Sequence, residues 1–200
     1  MQAMFNLQER LQEKIEQSKK LNAPKDLEAF KIMIARTIGY GKLAAFYPIL
    51  EDYMKDLSPA VVKQAILSAG SSQAPCFIKT LLSFLPNKST RSAARKALAR
   101  YEPAELLPIL EDVSRAPDTK TDLLIQLPAL AETMETQQAV DYLFALVQQE
   151  DPIVKMEALE SLHKIKSRFP HLTIGWKRLI PIVTGDIDLY KDTLVLSYTA

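Results

Sequence analysis

Residues 58–69 read SPAVVKQAILSA, and residues 151–162 read DPIVKMEALESL. Each stretch opens with a residue that can cap a helix, Ser58 or Asp151, and continues with a proline, Pro59 or Pro152. The cap accepts hydrogen bonds from the free amides of the first turn, and a proline at the first helical position has no amide to waste. Both stretches place Val fourth (Val61, Val154) and Ala eighth (Ala65, Ala158). Two other stretches fit the same frame: TRSAARKALARY at 90–101, with Ala93 and Ala97, and KTDLLIQLPALA at 120–131, with Leu123 and Leu127. The frame therefore starts at 58, 90, 120 and 151, with steps of 32, 30 and 31.

Places four, eight and twelve are Val61, Ala65 and Ala69, then Ala93, Ala97 and Tyr101, then Leu123, Leu127 and Ala131, then Val154, Ala158 and Leu162. A spacing of four keeps each trio on one helical face, so each copy is expected to be a helix with one buried stripe. The recurrent small residue at place eight marks a close crossing, where a larger side chain would overpack. Each frame follows another helical stretch, at 41–54, 75–85, 103–113 and 136–147. The phrase Pro-Ile-Leu-Glu-Asp occurs in two of these, at 48–52 and 108–112, which is 60 residues, or two periods, apart. Prolines 48 and 108 are expected to kink those first helices. The Glu-Asp pairs fall where the helix should end, a position mildly unfavourable for acids unless the helix runs on or a basic group is near. Two helices per unit of about 31 residues make a solenoid the natural architecture.

A first helix with internal proline, an Asp/Ser-Pro turn and Val-x-x-x-Ala in the second helix together resemble HEAT repeats. The short period is similar to the bacterial variety of phycobilisome-lyase-type proteins. The resemblance covers residues 41–166 and implies an all-α, right-handed α-solenoid of stacked antiparallel helix pairs, an armadillo-like superhelix of about twelve helices. The units are expected at about 41–70, 72–101, 103–132 and 136–167, with a partial one at 172–200. The third departs from the pattern at Leu127-Pro128, where Ala and an unbroken helix are usual.

The flanks extend the reading. Leu27, Phe30, Ile34 and Ile38 share a face, so 26–39 reads as another second-type helix. Residues 1–22 read as an amphipathic capping or linker helix with Met4, Leu7, Leu11 and Ile15 as its stripe, leaving 23–200 as the repeat domain. The C-terminal stretch, with Leu194 and Leu196, has apolar residues on more than one side, so the chain is expected either to be cut from a longer protein or to pair through that end as a homo-oligomer.

Composition narrows the function. The chain has 200 residues, 48% of them apolar, and a formal net charge of +1, so no global attraction draws it to nucleic acid or an acidic membrane. No signal-peptide pattern and no run long enough to cross a bilayer occur, and a cytoplasmic location without membrane insertion is expected. Cys76, the single cysteine, allows no internal disulfide and reads as a small core residue. The two histidines, His163 and His171, lack the pairing that zinc or a catalytic triad needs. Gly39-Tyr40-Gly41-Lys42 lacks the P-loop spacing and reads as a turn. HEAT-like hydroxylases carry repeated His-Glu dipeptides, and this chain has none. No catalytic, metal or cofactor-binding residue is expected, and the chain reads as non-enzymatic.

Charge gives the better lead. Lys88, Arg91, Arg95, Lys96 and Arg100 fall within 88–100 with no acid among them, whereas 101–141 holds nine acids and two bases. Lys63 and Arg95 take place six of their frames and can line one face. Trp176, the single tryptophan, lies beside Lys177 and Arg178 as a candidate anchor. The candidate partner-binding residues are thus Lys63, Arg91, Arg95, Lys96, Trp176, Leu194 and Leu196.

Three functional readings follow. The first is a protein–protein scaffold. The second is a nucleic-acid binder of the HEAT-like alkylpurine DNA glycosylase type, against which the near-neutral charge weighs. The third is a docking region of a larger chain. The LPxL-type first helices and the tail GDIDLYKDTLVLSY are similar to the cytosolic HEAT region of bacterial nucleotide-transporter-like membrane proteins, which often also carry a cyclic-nucleotide-binding domain. The third is compatible with the first.

Overall fold

The computed structural model describes residues 2–18, 24–175, 177, 179 and 180. These are all-helical, with no strand among them. Eleven α-helical segments occur where about twelve helices were expected for the whole chain: α1 (Gln2–Ser18), α2 (Pro24–Gly41), α3 (Tyr47–Tyr53), α4 (Pro59–Ser72), α5 (Ile78–Ser83), α6 (Arg91–Leu98), α7 (Pro103–Arg115), α8 (Thr121–Leu124), α9 (Pro128–Ala131), α10 (Gln137–Val147) and α11 (Pro152–Arg168). The 3-10 turns Ala44–Phe46 and Pro75–Phe77 lead into α3 and α5. The chain divides into two compact units, Met1–Leu110 and Glu111–Ala200.

In the first unit the frame sets the core. Val61, Ala65, Ala69 and Ala97 have no exposed surface, and Ala93 and Tyr101 are buried. The Val61 amide donates to Ser58 Oγ, and Pro59 lies in the first turn of α4, as the capping pattern requires. Ile34 and Ile38 are fully buried, so α2 is a second-type helix; Leu27 and Phe30 are half-buried.

The helices α2, α4 and α6 pack in sequence, α2 on α4 and α4 on α6. Three pairs set their direction. Ser58 Oγ donates to Glu28 Oε2 (2.6 Å), Arg36 Nε to Gln64 Oε1 (2.9 Å) and Lys42 Nζ to Gln73 Oε1 (2.9 Å). Residue number rises together on both helices, so α2 and α4 run parallel. Two glycines make the approach possible. A Cβ on Gly39 would lie 2.5 Å from the Ser68 carbonyl oxygen, and one on Gly70 would lie 2.4 Å from Ala97 Cα. Backbone fills the space that a side chain would need at both sites.

The first-type helices depart from the expected kink. Pro48 lies in the first turn of α3, after the 3-10 turn, and is not internal to the helix. It therefore breaks no helical hydrogen bond. Pro108 does lie inside α7. Phe77 is fully buried, and its ring meets Tyr47 edge-on with centroids 5.0 Å apart, joining the two 3-10 entrances of successive repeats. Cys76, expected in the core, is exposed. It sits in the 3-10 turn, where Phe77 takes the inward position.

The helix ends of this unit are tied by side chains. Lys42 and Gln73 cap α2 and α4 in the left-handed region, with φ of 49° and 54°. That conformation costs a non-glycine residue about 1 kcal/mol or more. Gln73 accepts from Lys42 and donates through Nε2 to the Arg100 carbonyl (2.7 Å), so one side chain links the C-terminal ends of three helices. Tyr101 OH donates to the Ala74 carbonyl (3.0 Å), and burial pushes its pKa well above the usual tyrosine value. At the opposite end, Lys31 pairs with Asp56, whose Oδ1 accepts from the Ser58 amide. Burial works against the Asp56 carboxylate, but the Lys31 and Ser58 hydrogen bonds and the Lys31 charge outweigh it and lower its pKa. Tyr53 is pushed up to about 12, first by burial and then by the charges of Asp56 and Asp52.

The second unit repeats the scheme less regularly. Val154, Ala158 and Leu162 of α11 are fully buried, and Asp151 caps it by accepting from the Ile153 and Val154 amides. Thr136 caps α10 in the same way. A short turn separates α10 from α11, and the two pack together. The third copy of the frame departs from one continuous helix. Pro128 starts α9, so that copy is split into α8 and α9. Leu127 and Ala131 are still fully buried, whereas Leu123 is half-buried. Ser161 Oγ on α11 donates to Glu132 Oε2 just past α9 (2.9 Å), and Lys164 pairs with Glu160 and reaches Glu132. The Glu-Asp pairs end as alternatives. Helix α3 stops one residue after Asp52, but α7 runs on to Arg115, which pairs with Glu111 at 3.1 Å.

Candidate binding surface

The second-type helices of the first unit each turn one stripe to the core, and their other sides carry the candidate residues. On α4 the core takes Val61, Ala65 and Ala69, the α2 side takes Ser68 and the α6 side takes Gly70. That leaves Ala60 and Lys63 exposed, with Leu67 and Ser71 half-buried. On α2 the same logic leaves Ala29, Arg36 and Tyr40 exposed, Tyr40 to 73%, with Lys25, Asp26 and Glu28 exposed in the first turns. On α6, Ser92 and Lys96 are exposed.

The structure separates the basic candidates by role. Lys63 and Lys96 are exposed and lie on the adjacent helices α4 and α6. Arg91 is half-buried and committed to the fold. Its Nε donates to the Leu85 carbonyl (2.7 Å) and its Nη2 to the Pro86 carbonyl (2.8 Å). It holds the α5–α6 turn closed. Arg95 is half-buried on α6 and so offers less surface than Lys96. The Trp176 side chain, Leu194 and Leu196 lie outside the described residues.

Place six does not remain basic along the chain. Ile125 holds it half-buried in the third copy, and Met156 holds it 62% exposed in the fourth. Met156 lies one turn from the exposed Ile153 on α11, an apolar pair on that helix. A run of cations at place six is thus confined to the first unit.

The sequence reading missed two contributors. Arg36 and Tyr40 belong to α2, one repeat upstream, and the 31-residue step from Arg36 to Leu67 was the signal that places them. It also understated the charge. Residues 58–101 contain seven Lys or Arg and no Asp or Glu, in a chain with 25 bases and 24 acids. Neither α4 nor α6 has an acid of its own to neutralise its cations.

Among the described residues no group of three His, Cys, Asp or Glu could hold a metal ion. Gly39 to Gly41, expected as a turn, are the last residues of α2, and only Lys42, its left-handed cap, lies beyond the helix. His171 Nε2 lies 3.6 Å from Glu135 Oε1, and both side chains are exposed. Among the described residues no helix is long and apolar enough to cross a membrane.

No family model matches the chain, and no curated protein shows significant similarity to it. The resemblance to HEAT repeats therefore rests on the internal frame, whose recurring content is an apolar residue at places four and eight, Ala at place eight in three of the four copies, and a capping Ser or Asp before Pro in two.

Proposed function

We propose that this chain is a non-enzymatic protein-interaction module, built as a HEAT-like α-solenoid of stacked helix pairs and serving as a scaffold or as the docking region of a larger protein. The observation that supports it best is the surface of α2, α4 and α6, where the parallel α2 and α4, with α6 packed on α4, leave Arg36, Tyr40, Lys63 and Lys96 exposed. A face of that kind binds by shape and charge, and it contains no nucleophile–base pair. Docking against neighbouring domains, or against a second copy through the C-terminal end, belongs to the same reading. A cytoplasmic location fits it.

The acid-free stretch 58–101 raises the competing reading, a nucleic-acid binder. Magnitude decides between them. Tight duplex binding draws on about 6–10 phosphate contacts. Arg91 is spent on backbone carbonyls and Arg95 is half-buried, so five of the seven cations of that stretch stay exposed, short of that number. Fluorescence anisotropy with a duplex oligonucleotide is expected to show no binding tighter than about 100 μM at physiological salt. Tighter binding with a steep salt dependence, lost in the Lys63→Glu, Lys96→Glu double variant, would overturn the scaffold reading. Arg91→Glu is unsuitable for this test because it would open the α5–α6 turn.

A further inference from the structure

We infer that the surface of α2, α4 and α6 receives an acidic peptide segment in extended conformation, laid across the three helices. This rests on the protein-interaction reading and adds the chemistry of the partner.

The first ground is charge. Residues 58–101, which hold α4 and α6, carry seven bases and no acid, while the whole chain is balanced at 25 against 24; the exposed acids of α2, Asp26 and Glu28, lie near its N-terminal end, where Glu28 accepts from Ser58, and Arg36 and Tyr40 lie toward the other end. Three cations elsewhere meet carboxylates: Lys31 meets Asp56, Arg115 meets Glu111, and Lys164 meets Glu160. Lys63 and Lys96 are exposed on helices that contain no carboxylate. Arg36 gives one donor to Gln64. A guanidinium carries five N–H donors in a planar fork, so others remain for a ligand carboxylate.

The second ground is spacing. Packed helices lie about 8–10 Å apart. An extended peptide rises about 3.3 Å per residue, so acids at every third position recur about every 10 Å. A strand crossing α2, α4 and α6 can therefore present one carboxylate to each helix in turn. Tyr40, 73% exposed on α2, and the half-buried Leu67 on α4 offer apolar contact on the same helices. A duplex does not match this surface, because its phosphates are far denser than the few cations that face it.

The test uses the full chain and a fluorescein-labelled peptide of about ten residues with Glu at every third position and Gly and Ser between, a length that crosses three helices. The peptide with Gln in place of Glu and a duplex oligonucleotide serve as comparisons. The acidic peptide is expected to bind at least about tenfold more tightly than its Gln counterpart, and Lys63→Glu or Lys96→Glu should each weaken it by about tenfold. Thermal melting of both variants should match the parent, since the two lysines are exposed. No peptide binding below about 1 mM, or binding indifferent to both variants, would overturn this inference and leave the interaction reading standing. Duplex bound as tightly as peptide would overturn both.

Discussion

Ala158→Arg is expected to unfold the second unit, or to lower its stability by several kcal/mol, whereas Glu157→Arg should change it by no more than about 1 kcal/mol. Ala158 is fully buried on α11, at place eight of its frame, and α11 packs there against α9 and α10. An arginine in that place needs room and a partner for its charge, and the site supplies neither. Glu157 is the adjacent residue and keeps part of its surface in solvent. Reversing its charge alters its interaction with Lys164, which is half-exposed, so screening keeps the effect small. The comparison is made by chemical denaturation of both variants. Equal losses would contradict the frame.

A second large effect is expected at Phe77. Phe77→Ala should destabilise the first unit by about 3–5 kcal/mol, the usual range for truncating a buried aromatic. The ring is fully buried and stacks edge-on against Tyr47, so its loss leaves a cavity and removes the aromatic contact between successive repeats. Cys76→Ala, one residue away, should stay within about 0.5 kcal/mol, because the thiol is exposed. Denaturant midpoints for the pair check both. A costly Cys76→Ala with a mild Phe77→Ala would mean that the 3-10 turn is placed wrongly.

Much of the fold was legible because the stripe and the caps are local. Ser58-Pro59 and Asp151-Pro152 announce helix starts with the residues of a single turn, and eleven of the twelve stripe positions are buried, Leu123 being half-buried. What was not legible depends on packing. Whether Pro48 kinks a helix or begins one turns on the 3-10 entry before it, and nothing in Tyr47-Pro48-Ile49 distinguishes the two. Cys76 and Phe77 are neighbours, and the hand of a 3-10 turn decides which is inside. Arg91 looked like surface charge, yet its guanidinium closes a turn on carbonyls that no sequence pattern marks. The glycines in the last turns of α2 and α4, Gly39 and Gly70, 31 residues apart, were a signal in plain view. Glycine inside a helix is unfavourable, and its recurrence at one period points to a backbone that must come close.

That glycine contact gives the most direct measurement of whether the repeat stacks its second-type helices side by side. In an isolated helix, Gly→Ala stabilises by about 1 kcal/mol. At Gly70 the new Cβ would fall 2.4 Å from Ala97 Cα, and backbone cannot rotate away as a side chain can. The denaturant midpoint of Gly70→Ala should therefore fall, with a net loss of about 1–3 kcal/mol for the overpacked contact. The reverse change at the exposed Ala60 of the same helix, Ala60→Gly, should cost only the ordinary 0.5–1 kcal/mol or so. If Gly70→Ala instead leaves the protein unchanged or makes it more stable, α4 and α6 do not meet there, and the stacking of repeats is contradicted.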